Sequence, residues 1–136
     1  MKKFFLILSV LFALSSCNLD DEPKSDYVLL PVESVEMPAT GFNINEVNFI
    51  KIKYRRPTTC HLYDNFYVET NNYTRTIAIR AVRLNQTICE DATEEGPYEI
   101  NFDFKPTETE TYTLKFWTGT NDQGVDEYIT EEVVIN

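Results

Sequence analysis

Seven residues, Tyr98 to Phe104, read YEINFDF and alternate without a fault: Tyr98, Ile100, Phe102 and Phe104 are apolar or aromatic, and Glu99, Asn101 and Asp103 between them are polar. Successive side chains of an extended chain point to opposite faces, whereas a helix would scatter this pattern around its circumference. A strand with one face buried is what the pattern permits. The same period recurs in TYTLKFW, with Tyr112, Leu114 and Phe116 on one side, and in NFIKIKYRR, where Ile50, Ile52 and Tyr54 oppose Lys51, Lys53 and Arg55.

Two further runs follow the rule with less regularity. HLYDNFYVE is expected to set Leu62, Phe66 and Val68 inward, and TRTIAIRAVRL to carry Ile77 and Ile79 inward before a register shift near Ala81 and Val82, as at a bulge. With YVLLPVESVEM in front and DEYITEEVVIN at the end, the tally is about seven short strands, and no segment competes as a helix. The expected fold is all-β, an antiparallel sandwich.

The run PTETETYTLKFW resembles the entry to the sixth strand of immunoglobulin-like domains, with Glu108 four positions before Tyr112. That resemblance implies an immunoglobulin-like sandwich of about seven strands, with Tyr112 as a corner residue bonding back to the chain upstream. Glu110 stands where many such domains have glycine.

The chain opens MKKFFLILSVLFALSSC: two lysines, an apolar run from Phe4 to Leu14, then small residues. This is the order of a secretory signal peptide, too short to stay in a bilayer as a spanning helix. Leu14, Ser15, Ser16 and Cys17 resemble the lipobox of bacterial lipoproteins, which implies cleavage before Cys17 and lipid on its sulfur. The acidic NLDDEPKSD behind it resembles the export tag of Bacteroidota surface lipoproteins, and Asn18 resembles the residue of lipoproteins that leave the inner membrane. The expected organisation is a signal peptide over 1–16, an acidic lipid-attached tether over 17–26, and one sandwich domain over 27–136. Its expected place is the bacterial outer membrane, lipid-anchored through Cys17, with the cell surface as a possible exposure.

Removing Lys2 and Lys3 with the signal takes the formal net charge from −10 to −12. Such a surface repels phosphates, so nucleic acid is not an expected partner. With Cys17 given to lipid, Cys60 and Cys89 form an even pair in an oxidising compartment, where a disulfide is the expected state. Behind the signal the only serines are Ser25 and Ser34 and the only histidine is His61, which offers no nucleophile and base pair for a triad and no closed zinc shell. Cys60 and His61, adjacent on an extended chain, point apart. The expectation is a noncatalytic protein without a cofactor. The loop GTNDQGVDE groups Asn121, Asp122, Asp126 and Glu127, hard oxygens of the type calcium takes, but without the order of an EF-hand, and no metal is assigned to it.

The functional expectation rests on outward aromatic side chains. If Leu62, Phe66 and Val68 face the core, Tyr63 and Tyr67 face out; if Tyr112, Leu114 and Phe116 face in, Trp117 faces out. In the immunoglobulin topology the third and sixth strands are neighbours, so these rings would share one surface with Asn65, Thr113 and Lys115. That surface suits an envelope protein partner or, in a second reading, the sugar rings of a carbohydrate. The expected function is a lipid-anchored binding or assembly module of the envelope, acting through a sheet face or the loops.

Overall fold

A computed structural model describes residues 24–86 and 88–136; Cys17, the signal segment and most of the tether lie outside them. All regular structure among the described residues is strand: β1 Ser25–Leu30, β2 Val32–Glu36, β3 Asn48–Tyr54, β4 His61–Asn71, β5 Thr74–Leu84, β6 Tyr98–Phe104, β7 Thr111–Thr120 and β8 Asp126–Val134. There are eight rather than seven because YVLLPVESVEM is two strands. Pro31 has no N–H to give a ladder and breaks the run, so β1 joins one sheet and β2 crosses to the other. Strand β1 opens at Ser25, taking Ser25 and Asp26 out of the expected tether.

The two sheets pack face to face as a β-sandwich. The smaller has the order β2, β3, β6, all antiparallel. In the larger, β5 is paired along its whole length with β4 on one side. Its other edge is shared end to end: β7 runs parallel to Thr74–Ile77, β1 runs antiparallel to Ile79–Leu84, and β8 flanks β7. The predicted alternation accounts for the core, since Ile50, Ile52, Tyr54, Phe102, Phe104, Tyr112, Leu114 and Phe116 are all buried between the sheets. Asn48 is the buried polar exception, and its amide donates to the carbonyls of Asn43, Glu46 and Phe104, which closes the loop before β3.

Three expectations need correction. The strand carrying Tyr63 and Tyr67, β4, does not neighbour β7; the two-residue turn at Asn72 and Tyr73 folds β5 back along β4, and β5 makes the contact with β7. Asn72 turns the chain at φ 52°, a region asparagine tolerates better than most residues. The bulge is not in β5, where Ile77, Ile79 and Ala81 run inward unbroken, but in β4. There Asp64 is the extra residue between the pairs Tyr63 to Ala81 and Asn65 to Arg80. Finally, the corner before β7 is closed by Tyr73, whose hydroxyl donates to Glu108 Oε2 at 2.6 Å, and Tyr112 serves it as a buried ring packed edge-on to Tyr73 and Phe104.

Cys60 and Cys89 form a disulfide with Cα atoms 5.4 Å apart. It ties the residue before β4 to the loop after β5, outside the sheets.

Candidate functional site

A bulge reverses which face each residue of a strand occupies, because the side-chain period is two. Asp64 does this to β4. Before it, Leu62 pairs with Val82 on the outer face and is 42% exposed, while Tyr63 pairs with the buried Ala81 and turns inward. After it, Phe66 and Val68 pair with the buried Ile79 and Ile77, and Tyr67 pairs with Ala78 on the outer face. The expected inward position of Leu62 and outward position of Tyr63 are both overturned; those of Phe66, Val68 and Tyr67 stand.

Tyr63 thus turns toward the inner side of the sheet, where it lines the mouth of the cleft and stays 40% exposed. Its ring centroid lies 5.8 Å from that of Phe66 and 6.4 Å from that of Tyr54, and burial pushes its hydroxyl pKa up. Asn65, beside the bulge, borders the same cleft between β4 and β6, a space of about 310 Å³ closed by Phe66 and Phe102 in edge-on contact at 5.1 Å.

The outer face holds a second hollow, of about 250 Å³. Its floor is Thr76 and Ala78 of β5, two small side chains. Tyr67 rises from β4 on one side, and Trp117 of β7 and Tyr128 of β8, directly opposite each other across that pair, rise on the other. Leu29 of β1 closes an end, and Glu69 and Asp126 supply carboxylates. The hollow has a topological origin. It lies where β7 stops pairing with β5 at Ile77 and β1 begins at Ile79, so no single strand fills that edge.

Trp117 is fixed within it. Its indole N–H donates to Asp126 Oδ1 at 3.0 Å, and the Thr120 hydroxyl donates to the same oxygen at 2.6 Å. These bonds, Thr120 first and Trp117 second, hold the Asp126 carboxyl below the ordinary carboxylate range. A register shift between Trp117 and Gly119 accompanies this, and Gly119 sits at φ 121°, a backbone conformation that favours glycine. Lys115, one step along the outer face of β7, places its ammonium 4.2 Å from the Tyr128 ring centroid.

Of the six residues expected to share a binding face, Tyr67 and Trp117 meet in the hollow, Lys115 stands beside it, and Thr113 is further along β7, where its N–H bonds the Tyr73 carbonyl. Tyr63 faces the other side of the sheet, whereas Asn65, paired with the outward Arg80 and next to the inward Phe66, keeps the outer-face register at the sheet's edge, away from the hollow. Tyr128, Leu29 and Glu69 were not anticipated. Tyr128 carries a readable signal, since counting back through the NDQG turn from Trp117 reaches it across a hairpin.

The loop of Asn121, Asp122, Asp126 and Glu127 is closed on itself. Asn121 Oδ1 accepts from the backbone N–H groups of Gln123 and Val125, and its amide donates to Glu127. Among the described residues no group of three or more His, Cys, Asp or Glu side chains is placed to hold a metal. Beside the disulfide, His61 Nδ1 is 2.9 Å from the Thr58 hydroxyl, and burial pulls its pKa below the ordinary imidazole value. Arg56, Glu95 and Tyr98 close into a mutual triad at the end of the smaller sheet.

Compared with known proteins, the chain matches no family model, no curated relative and no solved structure.

Proposed function

We propose that this protein is a noncatalytic binding module, moored to the bacterial outer membrane by lipid on Cys17 and engaging an envelope partner through the outer face of its five-stranded sheet. The observation that carries the reading is the hollow between Tyr67, Trp117 and Tyr128. Rigid aromatic side chains with a polar edge give large contact area at low entropic cost, and a ring already held by a hydrogen bond loses little more on binding. The lipobox-like run ending at Cys17 supports the mooring, because two or more acyl chains hold a soluble domain at a bilayer without a spanning helix.

The test is capture of envelope material by the full-length lipidated chain, compared with a Tyr67→Ala, Trp117→Ala double variant. The expected result is loss of capture by the variant, with an unchanged far-ultraviolet circular dichroism spectrum. Equal capture by both removes the hollow from the function. The mass of the purified protein should carry acyl groups on Cys17, and an unmodified Cys17 in membrane-derived material would remove the anchor.

A further inference from the structure

We infer that the ligand class of the outer hollow is an uncharged sugar ring within a glycan chain, an inference that rests on the hollow being the binding site. Size comes first. At about 250 Å³ the space falls below the roughly 300 to 1,000 Å³ typical of pockets that enclose a drug-sized molecule, so it takes one ring rather than an extended group.

The lining then discriminates between kinds of ring. Tyr67, Trp117 and Tyr128 are interleaved with Glu69, Thr76 and Asp126. An apolar side chain from a protein partner would strip water from two carboxylates and return no hydrogen bond, which is costly. A sugar ring presents C–H groups on its faces, which suit aromatic surfaces, and hydroxyl donors around its rim, which suit carboxylates. Glu69 forms no ion pair among the described residues, and Asp126 uses one oxygen for both of its bonds, leaving the other oxygen without those donors.

Charge bears on the remaining classes. An acidic sugar would meet Glu69 and Asp126 on a chain whose formal net charge is −10. A cation would be drawn by the same carboxylates but would have to compete with the Lys115 ammonium, which already lies 4.2 Å from the Tyr128 ring centroid. A neutral polyol meets neither the repulsion nor the competitor, and the choline arm of the test decides between the two.

Trp117 is the only tryptophan in the sequence, so intrinsic tryptophan emission of the full chain in detergent reports on this site alone. The probes are chitotetraose, cellotetraose and mannotetraose as neutral glycans, tetragalacturonate as an acidic one, and choline as a cation. The expected result is a saturable emission change with at least one neutral tetramer, binding of tetragalacturonate and choline at least about 10-fold weaker, and weakening of the neutral ligand by about 10-fold or more in Tyr67→Ala. Failure of all three neutral tetramers to perturb the emission overturns the inference, as does tetragalacturonate or choline binding as tightly. If the tetramers fail while capture of envelope material still depends on Tyr67 and Trp117, the sugar class falls and the site survives; if capture is independent of both rings, the site itself falls.

Discussion

Tyr63 and Tyr67 stand on one strand, on opposite faces of one sheet, and their surroundings differ in kind. Tyr63 leans on Tyr54 and Phe66, rings of the interior. Tyr67 borders a hollow with Trp117 and Tyr128, where carboxylates are interleaved with the rings. Near Tyr63 the aromatic contacts hold two sheets together across the cleft at β4 and β6. Near Tyr67 no second layer lies over the sheet among the described residues, and the rings surround a space floored by Ala78 and Thr76. An aromatic side chain is thus read from what its polar neighbours are doing, and residue type alone assigns it no role.

The comparison breaks first on stability. Phe102→Ala, deleting the ring that meets Phe66 at 5.1 Å, is expected to destabilise the domain by about 3 to 5 kcal/mol, against about 1 kcal/mol or less for Tyr67→Ala, which is 46% exposed. Urea unfolding of the two variants checks this, and equal losses would mean that the outer rings are structural too. Next in size is the bridge. Replacing Cys60 and Cys89 by alanine opens a loop with a sequence separation of 29, which on loop-closure entropy costs roughly 3.5 kcal/mol. Because the bridge lies at the base of the β4 and β5 hairpin and away from the hollow, Trp117 emission in the folded variant should match that of the parent.

Where residues alternate cleanly, the sequence is enough to place them. Ile50, Ile52, Phe102, Phe104, Leu114 and Phe116 could be set in the core from their spacing, because only one face of each strand is apolar. In β4 the pattern fails for a physical reason. Leu62 and Tyr63 are neighbours and both suit burial, so either register is acceptable locally, and the choice is made by Ala81 and Ile79 on the paired strand. An Arg80 to Asp64 ion pair at 2.7 Å then holds the bulged residue outward. Strand order was less legible still. That β1 and β7 share one edge of β5 depends on pairings far apart in sequence, and the hollow exists only because of that sharing. Trp117 and Tyr67 could therefore be picked as outward rings, but they meet across β5, which lies between their strands, and not by the direct pairing of β4 with β7 that the sequence suggested.

Gly119 offers a sharper test of how the hollow is shaped. At φ 121° an added Cβ meets only Pro31, at 3.9 Å, so the cost of Gly119→Ala is in the backbone and is expected to be about 1 to 3 kcal/mol. If the chain relaxes to avoid that cost, the register shift after Trp117 is lost and the indole leaves Asp126. The variant should then show a red-shifted tryptophan emission with an otherwise intact sandwich. An unshifted emission would mean that the bulge does not aim the ring.

The smallest effect separates the two sides of β4 by acid. Asp126 is exposed, and its carboxyl is held below the ordinary value of 3.8 by the Thr120 and Trp117 donors. A carboxyl depressed on folding favours the folded state above its unfolded pKa, and that contribution disappears as the pH falls through the folded pKa. The bond from Trp117 should consequently persist through the range in which an unperturbed aspartate takes up its proton, and weaken below it. Emission of Trp117 followed downward in pH should hold steady through 3.8 and change only at lower values, before the far-ultraviolet signal is lost. In Asp126→Asn that step should be absent. A transition centred at the ordinary aspartate value would mean that Thr120 and Trp117 do not grip the carboxylate, and the ring would then owe its position to packing alone, like Tyr63 on the inner face.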